Sequence, residues 1–291
     1  MTVAGGTMLP THAGPGPARS LRSAKRAYRG AGAVLIGLVF FVPILYVLMI
    51  SVEPSSHFLV NPLQPPLHPA VDNFGKAWNQ ANLGVELINT VVYSVIAGGL
   101  STGLSLLIAF PIGRKLIKHS SWIYGLIVVG LFLPLSIIPL FIEARLFDLF
   151  NNRIGYIILH VEPGLPLGVV LLTAFIVAVP KELDEAAWLD GASYLRYLWS
   201  VVVPLTWPAL LIAFLYSLLG VWNDIIGPVV LLSNPNLFPV TRGIYNFYGA
   251  TASDWPLLAA GIIIVSLPVA ALFVASQRRL IQAAMTGSVK G

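Results

Sequence analysis

The sequence predicts an all-α membrane protein: six transmembrane helices, both termini cytoplasmic, and a cytoplasmic helix-Gly-helix loop between spans four and five. Three observations carry this. Apolar residues make up 57% of the 291 positions and charged residues only 10%, whereas an ordinary soluble domain carries about 25% charged residues. The apolar residues gather into runs of about the 20 that a helix needs to cross the hydrocarbon core. Lys and Arg then collect in alternate loops, as the positive-inside rule requires.

Residues 1–30 are rich in Gly, Pro and Ala and carry Arg19, Arg22, Lys25, Arg26 and Arg29; they predict a disordered, basic cytoplasmic tail. Span one is 31–50. A basic segment before an apolar run also suits a cleaved signal peptide, but this run is longer than the roughly 7–15 residues of a signal core and no A-x-A site follows, so a retained helix is expected. With the loop that follows, 31–85 form the first transmembrane helix and an external loop. Span two covers 87–112 and span three 122–141. Span four, 156–179, is interrupted near its start by Glu162, Pro163 and Pro166. Span five is 201–222 and span six 256–275. Prolines within spans (Pro43, Pro134, Pro204, Pro208, Pro268) are expected to be tolerated where neighbouring helices satisfy the freed backbone groups. A core domain of 86–280 ends in a cytoplasmic tail, 281–291. No internal repeat is visible.

The basic residues orient these spans. Besides the N-terminal five, Arg114, Lys115 and Lys118 follow span two, Lys181 and Arg196 follow span four, and Arg278, Arg279 and Lys290 follow span six. The opposite side holds only Lys76, Arg145, Arg153 and Arg242. The net charge of +5 therefore follows topology; membrane lipid is the expected surroundings, and no nucleic acid is expected. Trp122, Trp199, Trp222 and Trp255 stand at span ends, where an aromatic belt or packing between helices would use them.

Between spans four and five the stretch KELDEAAWLDGASYLR concentrates six charges: Lys181, Glu182, Asp184, Glu185, Asp190 and Arg196. Pro180 closes span four. Glu182, Asp184 and Glu185 then crowd a helix start, where the macrodipole favours acids. Gly191 is the natural terminator two turns on, and from Ser193 a second helix runs into span five. Asp190 either caps that second helix or meets a partner. On charge alone the stretch is equally a solvated loop.

Spacing narrows this. Glu185-Ala186-Ala187, three residues, Gly191, nine residues and Val201-Val202-Val203-Pro204 resemble the EAA loop of ABC importer permeases, with valines in place of isoleucine and leucine. LINTVVYSVIAGGLSTGLSLLIAFPIGR and GVWNDIIGPVVLLSNPNLFPV resemble the core domain of the carbohydrate-uptake branch, and the terminal TGSVKG is similar to the tail of its maltose-transporter G-type permeases. The resemblance covers residue 86 to the end. It implies a six-helix subunit paired with a second homologous permease, two ATPase subunits and an extracytoplasmic solute-binding protein in a bacterial plasma membrane. ATP and Mg would sit on the partner ATPase, with no cofactor in this chain. The EAA loop, 181–204, would sit in a cleft of the ATPase. Glu185 would pair there with a basic group, Ala186 and Ala187 would be contact residues, Asp190 and Pro204 would flank them, and Gly191 would set the bend.

The solute path is quieter. Asn89 and Ser94 lie in the outer part of span two, and Trp222, Asn223 and Asp224 at the outer end of span five. A ring beside amide and carboxylate groups suits a sugar. Equally, Asn89 and Ser94 could tie helices together, and Asn223 and Asp224 could cap a helix. His160 and Glu162 read as interfacial, and 225–232 is too short to span. No P-loop, GxSxG, HExxH or dinucleotide fingerprint occurs, and the absence of cysteine removes thiolate metal sites and cysteine catalysis. No catalytic or metal residue is expected. A secondary transporter or channel would show an intramembrane ionisable relay or a selectivity sequence, and an enzyme a polar cluster at one membrane face; neither is found. Polyamine or phosphate remains an alternative cargo.

Overall fold

In a computed structural model the backbone is described for residues 17–133, 136–245, 247–248 and 253–288, and side chains within 32–277 of that set. Residues 1–16 of the expected tail, 289–291 of the C-terminal tail and Pro134 lie outside it. The first helix, α1, runs Pro17–Ser51. This corrects the expectation of disorder over 1–30: 17–30 are helical. Pro17 stands at the helix start, where its missing N–H costs nothing, and Ala, Arg, Leu and Lys are among the best helix formers.

The chain divides into two compact units at residues 49 and 50, and the second holds everything that follows. Short helices α2 (Ser55–Phe58) and α3 (Asn73–Gln80) lead into α4 (Leu83–Gly113). Next come α5 (Ser120–Gly130), α6 (Ile137–Leu146), α7 (Arg153–Leu159) and, after a 3-10 turn at Glu162–Gly164, α8 (Leu165–Ala178). Then α9 (Glu182–Leu189) and α10 (Tyr194–Tyr197) precede a π turn, Leu198–Val202, that continues into α11 (Val203–Trp222). The chain closes with α12 (Ile226–Leu231), α13 (Val240–Tyr245) and α14 (Trp255–Ser288). Among the described residues the only β pairing is the isolated Tyr248–Ser253 bridge.

Five stretches are long and apolar enough to cross a membrane: Gly32–Ser51, Leu83–Gly113, Arg153–Ala178, Tyr194–Trp222 and Trp255–Gln277. They match expected spans one, two, four, five and six. The continuous third span, 122–141, is corrected. α5 stops at Gly130 and α6 starts at Ile137, helices of 11 and 10 residues. Residues 131–133 and 136 are not helical, and Pro139 in the first turn of α6 offers no N–H to a preceding turn.

At the centre of the second unit α4 packs against α8 and α11, which also pack on each other. Small residues make the approach close. A Cβ on Gly164 would collide with Ser217 and Ser101, and one on Gly168 with Ser105. Without a hydrophobic force between helices in lipid, such close packing supplies the attraction. One core cluster joins Leu106, Phe110, Leu172 and Ile176 to Tyr197, Leu198 and Val202. The far side of α4 leaves Ile88, Val92, Ile96, Leu100, Leu104 and Leu107 exposed. A row of apolar side chains that long is stable only against lipid or another chain.

Three belt tryptophans, Trp122, Trp199 and Trp255, are exposed, while Trp222 is buried in the cluster with Leu257 and Ala260.

Candidate coupling loop and solute path

The loop forms as its residues dictate. Val179 takes an extended conformation before Pro180, as residues preceding proline do. α9 then opens with Glu182, Asp184 and Glu185 in its first turn. It closes with Asp190 as C-cap and Gly191 at φ +70°. The Gly191 amide donates to Trp188 O (3.1 Å) and the Ala192 amide to Ala187 O (2.9 Å), the two bonds of a Schellman motif. Ser193 caps α10 by accepting from the Arg196 amide at 3.3 Å, so Asp190 ends the first helix and does not cap the second.

α9 has two faces. Glu182, Glu185, Ala186, Leu189, Asp190 and Gly191 are exposed, whereas Asp184 and Ala187 turn inward. Leu189 is 89% exposed, a large apolar side chain amid acids that sequence reasoning passed over. Ala187 packs on the cluster around Tyr197 and Leu198, and Trp188 meets Tyr194 and Tyr197 with ring centroids 4.6 and 5.8 Å apart. Pro204 is exposed in the first turn of α11. It offers no N–H to the preceding turn, and the helix is widened to π just before it.

A second tie was not foreseen. Arg114, the residue closing α4, is 6% exposed and lies 2.9 Å from the Asp184 carboxylate. Its guanidinium also donates to Val179 O (2.9 Å) and to the Tyr197 hydroxyl (3.1 Å). The Tyr197 hydroxyl donates to Asp184 in turn.

The solute-path residues separate. Trp222 and Asn223 line a groove of about 710 Å³ with Thr241, Tyr245, Tyr248 and Phe273. Asp224 does not. Its Oδ2 lies 2.7 Å from His160 Nε2 and accepts from the Tyr156 hydroxyl (3.2 Å), and its Oδ1 accepts from the Gly227 amide (3.0 Å). Burial pushes the Asp224 carboxyl up, but the bonds from His160, Gly227 and Tyr156 outweigh it, and the group titrates below its ordinary value. His160 Nδ1 faces Tyr156 O at 2.7 Å. Both ring nitrogens thus lie against oxygens, one of the Asp224 carboxylate and one of the backbone. His160, expected at an open interface, is instead 10% exposed.

Asn89 ties chain segments together. Its Nδ2 donates to Asn236 O (2.9 Å) and Phe238 O (3.1 Å), and its Oδ1 accepts from Arg153 (3.1 Å). Ser94 donates to Thr90 O within its own helix (2.6 Å). Glu86, one turn before Thr90, is buried beneath α13, where a Cβ on Gly243 would strike its carboxylate. An acid inside an apolar run was the available signal for it. Among the described residues no group of three or more His, Asp and Glu could hold a metal.

These features define a class, a helical chain with five stretches long and apolar enough to cross a membrane and a loop whose charges are mostly exposed. The chain matches the family of binding-protein-dependent transport system inner membrane components over residues 17–284, and it belongs to that family. It is therefore a multi-pass component of the bacterial inner membrane and not an enzyme. It is similar to the diacetylchitobiose uptake system permease protein NgcG of Streptomyces coelicolor, 29% identical with 94% of this chain and 93% of the relative covered. It is also similar to the melibiose/raffinose/stachyose import permease protein MelC of Bacillus subtilis, at 28% with 89% and 95% covered. Its fold is that of a solved bacterial ABC transporter involved in the import of the acidic polysaccharide alginate: TM-score 0.75, 22% identity, 88% of this chain and 97% of that one.

Proposed function

We propose that this chain is one of two transmembrane subunits of an ATP-driven importer for a sugar or oligosaccharide, and that α9 and α10 form the loop through which the ATPase drives it. The observation that carries this is the division of α9, with Glu185, Ala186, Leu189 and Asp190 outward around a Schellman bend and Asp184 and Ala187 inward. Charged and apolar groups held outward on a fixed backbone are what a soluble partner grips. The partners are a second homologous permease, two ATPase subunits holding ATP and Mg, and an extracytoplasmic solute-binding protein, the last supported by the family's own description. Both termini lie in the cytoplasm, and a sixth crossing is made in two pieces by α5 and α6. Residues 31–85 supply the first helix and external loop, 86–280 the permease core, 181–204 the loop, and 281–291 a cytoplasmic tail.

Groove chemistry supports a neutral sugar over polyamine or phosphate. Tyr245 and Tyr248 are exposed rings there, Asn223, Thr241 and Ser266 offer hydrogen bonds, most of the remaining lining is apolar, and its described lining carries no charge. A polyamine calls for carboxylates and a phosphate for basic groups. Proteoliposomes holding the whole transporter, ATP-loaded and supplied with binding protein, should accumulate a member of a panel of radiolabelled neutral mono-, di- and trisaccharides. Accumulation of spermidine or phosphate instead would change the cargo, and uptake without any ATPase would remove the energy source proposed.

A further inference from the structure

We propose that Arg114 is the positioning residue that delivers movement of the α9–α10 loop to α4, and through α4 to the outer side of the protein. The inference rests on the coupling-loop reading above. Three elements converge on this one guanidinium: the end of α8 through Val179 O, α9 through Asp184, and α10 through the Tyr197 hydroxyl, the first two at 2.9 Å and the last at 3.1 Å. The tie is nearly dry, since Arg114 is 6% and Asp184 19% exposed, so it escapes the screening that makes surface ion pairs weak. Loop residues are otherwise held to α4 and the rest of the core by apolar contacts: Ala187, Leu198 and Val202, and the rings of Trp188 and Phe110 against Tyr197. Apolar contacts hold a distance but resist sliding poorly. A planar fork bonded to three elements fixes direction as well, and a lysine cannot reproduce it.

α4 is suited to carry what it receives. Its 31 residues make a rod about 46 Å long, held against α8 and α11 by close small-residue contacts. At its other end Asn89, Thr90 and Tyr93 grip the segment 236–240. Asn89 donates to Asn236 O and Phe238 O, Tyr93 donates to Leu237 O at 3.0 Å, and Thr90 Oγ1 accepts from the Val240 amide at 2.9 Å. A push on Asp184 therefore reaches the outer strap along one continuous helix, which holds a proline, Pro111, near its Arg114 end.

The chain has no cysteine, so in a transporter whose partner subunits are made cysteine-free single thiols report cleanly. In the complete transporter in nanodiscs, bimane is attached at Leu195→Cys on α10 or at Ile88→Cys at the outer end of α4, both exposed. The probe is a non-hydrolysable ATP analogue with Mg. With Arg114 intact, emission shifts at both sites. With Arg114→Ala the Leu195→Cys shift persists while the Ile88→Cys shift falls roughly fivefold or more, and Arg114→Lys is intermediate. Asp184→Asn, which keeps size, gives the same split should Arg114→Ala assemble poorly. Equal shifts at both sites in Arg114→Ala and Asp184→Asn overturn the proposal, and so does loss of both shifts together, which marks a merely structural role. A Leu195→Cys label that ignores nucleotide with Arg114 intact defeats the coupling-loop reading and this one with it.

Discussion

The two ends of α4 treat charge in opposite ways. Beside Arg114, a single acid, Asp184, is turned inward, while Glu182, Glu185, Asp190 and Arg196 stay in the open. At the other end Glu86 is buried, Arg153 bonds Asn89, and Asp224 is closed in by His160 and Tyr156. Arg153 and Asp224, bonded inside the chain, hold the fold, and Glu86 is buried with its Oε2 unbonded; charges fixed in the open by a rigid backbone await another molecule. A substitution at one end should therefore strike transport, and at the other, stability.

The largest expected effect is at Glu185. Glu185→Lys should lower ATP-driven uptake by roughly 100-fold or more, the size of reversing one partner of a close interfacial charge pair, with membrane insertion and thermal midpoint unchanged. Normal uptake by a fully assembled variant would erase the contrast. Next comes Gly191→Val. At φ +70° a β-branched residue costs roughly 1–2 kcal/mol and should untwist the Schellman bend. Uptake per ATP hydrolysed should drop about tenfold, the cost expressed as a rate ratio; coupled turnover at the ordinary ratio would count against a loop-shape requirement.

At the inner-facing charges the order reverses. Asp224→Asn weakens the acceptor for His160 and Tyr156, and should reduce stability by about 1–3 kcal/mol, read as a lower unfolding temperature in detergent with uptake per folded molecule little altered. pH sharpens this. A carboxyl whose folded value is depressed stabilises fully above its unfolded value, ordinarily 3.8, and loses that contribution as pH falls through the folded one. Acid unfolding should begin at higher pH in Asp224→Asn, and coincident acid limbs would deny Asp224 its holding role. The smallest effect belongs to Asn223, whose exposed side chain bonds only Leu219 O among the described contacts, at 2.9 Å. Asn223→Ala should raise KM for sugar uptake severalfold, about one hydrogen bond's worth, at constant stability; an unchanged KM would move the path elsewhere.

Hydropathy made most of the fold legible, because a lipid-crossing helix must be apolar along its whole length. Span three was not, since whether Pro134 and Pro139 kink or break a helix depends on what neighbours can satisfy. The helical 17–30 segment was hidden by its charge. At the loop, acids, glycine and spacing announced helix, bend and helix. Which way α9 is rotated, and so that Ala187 faces home while Leu189 faces out, depends on packing against Tyr197. Arg114 was counted only as a positive-inside charge. Its partners are 65 to 83 positions away in sequence, and pattern carries no such pairing. Asp224 and His160, 64 positions apart, were read separately for the same reason.

The π turn at Leu198–Val202 carries a consequence for how the protein tolerates change in length. A π turn accommodates one residue more than an α turn. Deleting a single residue there would let the helix relax to regular winding with everything before it on nearly the same heading, since four residues of α-helix turn through about 400°, close to what five take in the wider π coil. Glu185 would keep its heading, whereas the same deletion further on, within the regular winding of α11, would turn it by about 100°. The π turn thus acts as slack in the count of residues between Gly191 and Pro204, absorbing a change of one that a regular helix would convert into rotation.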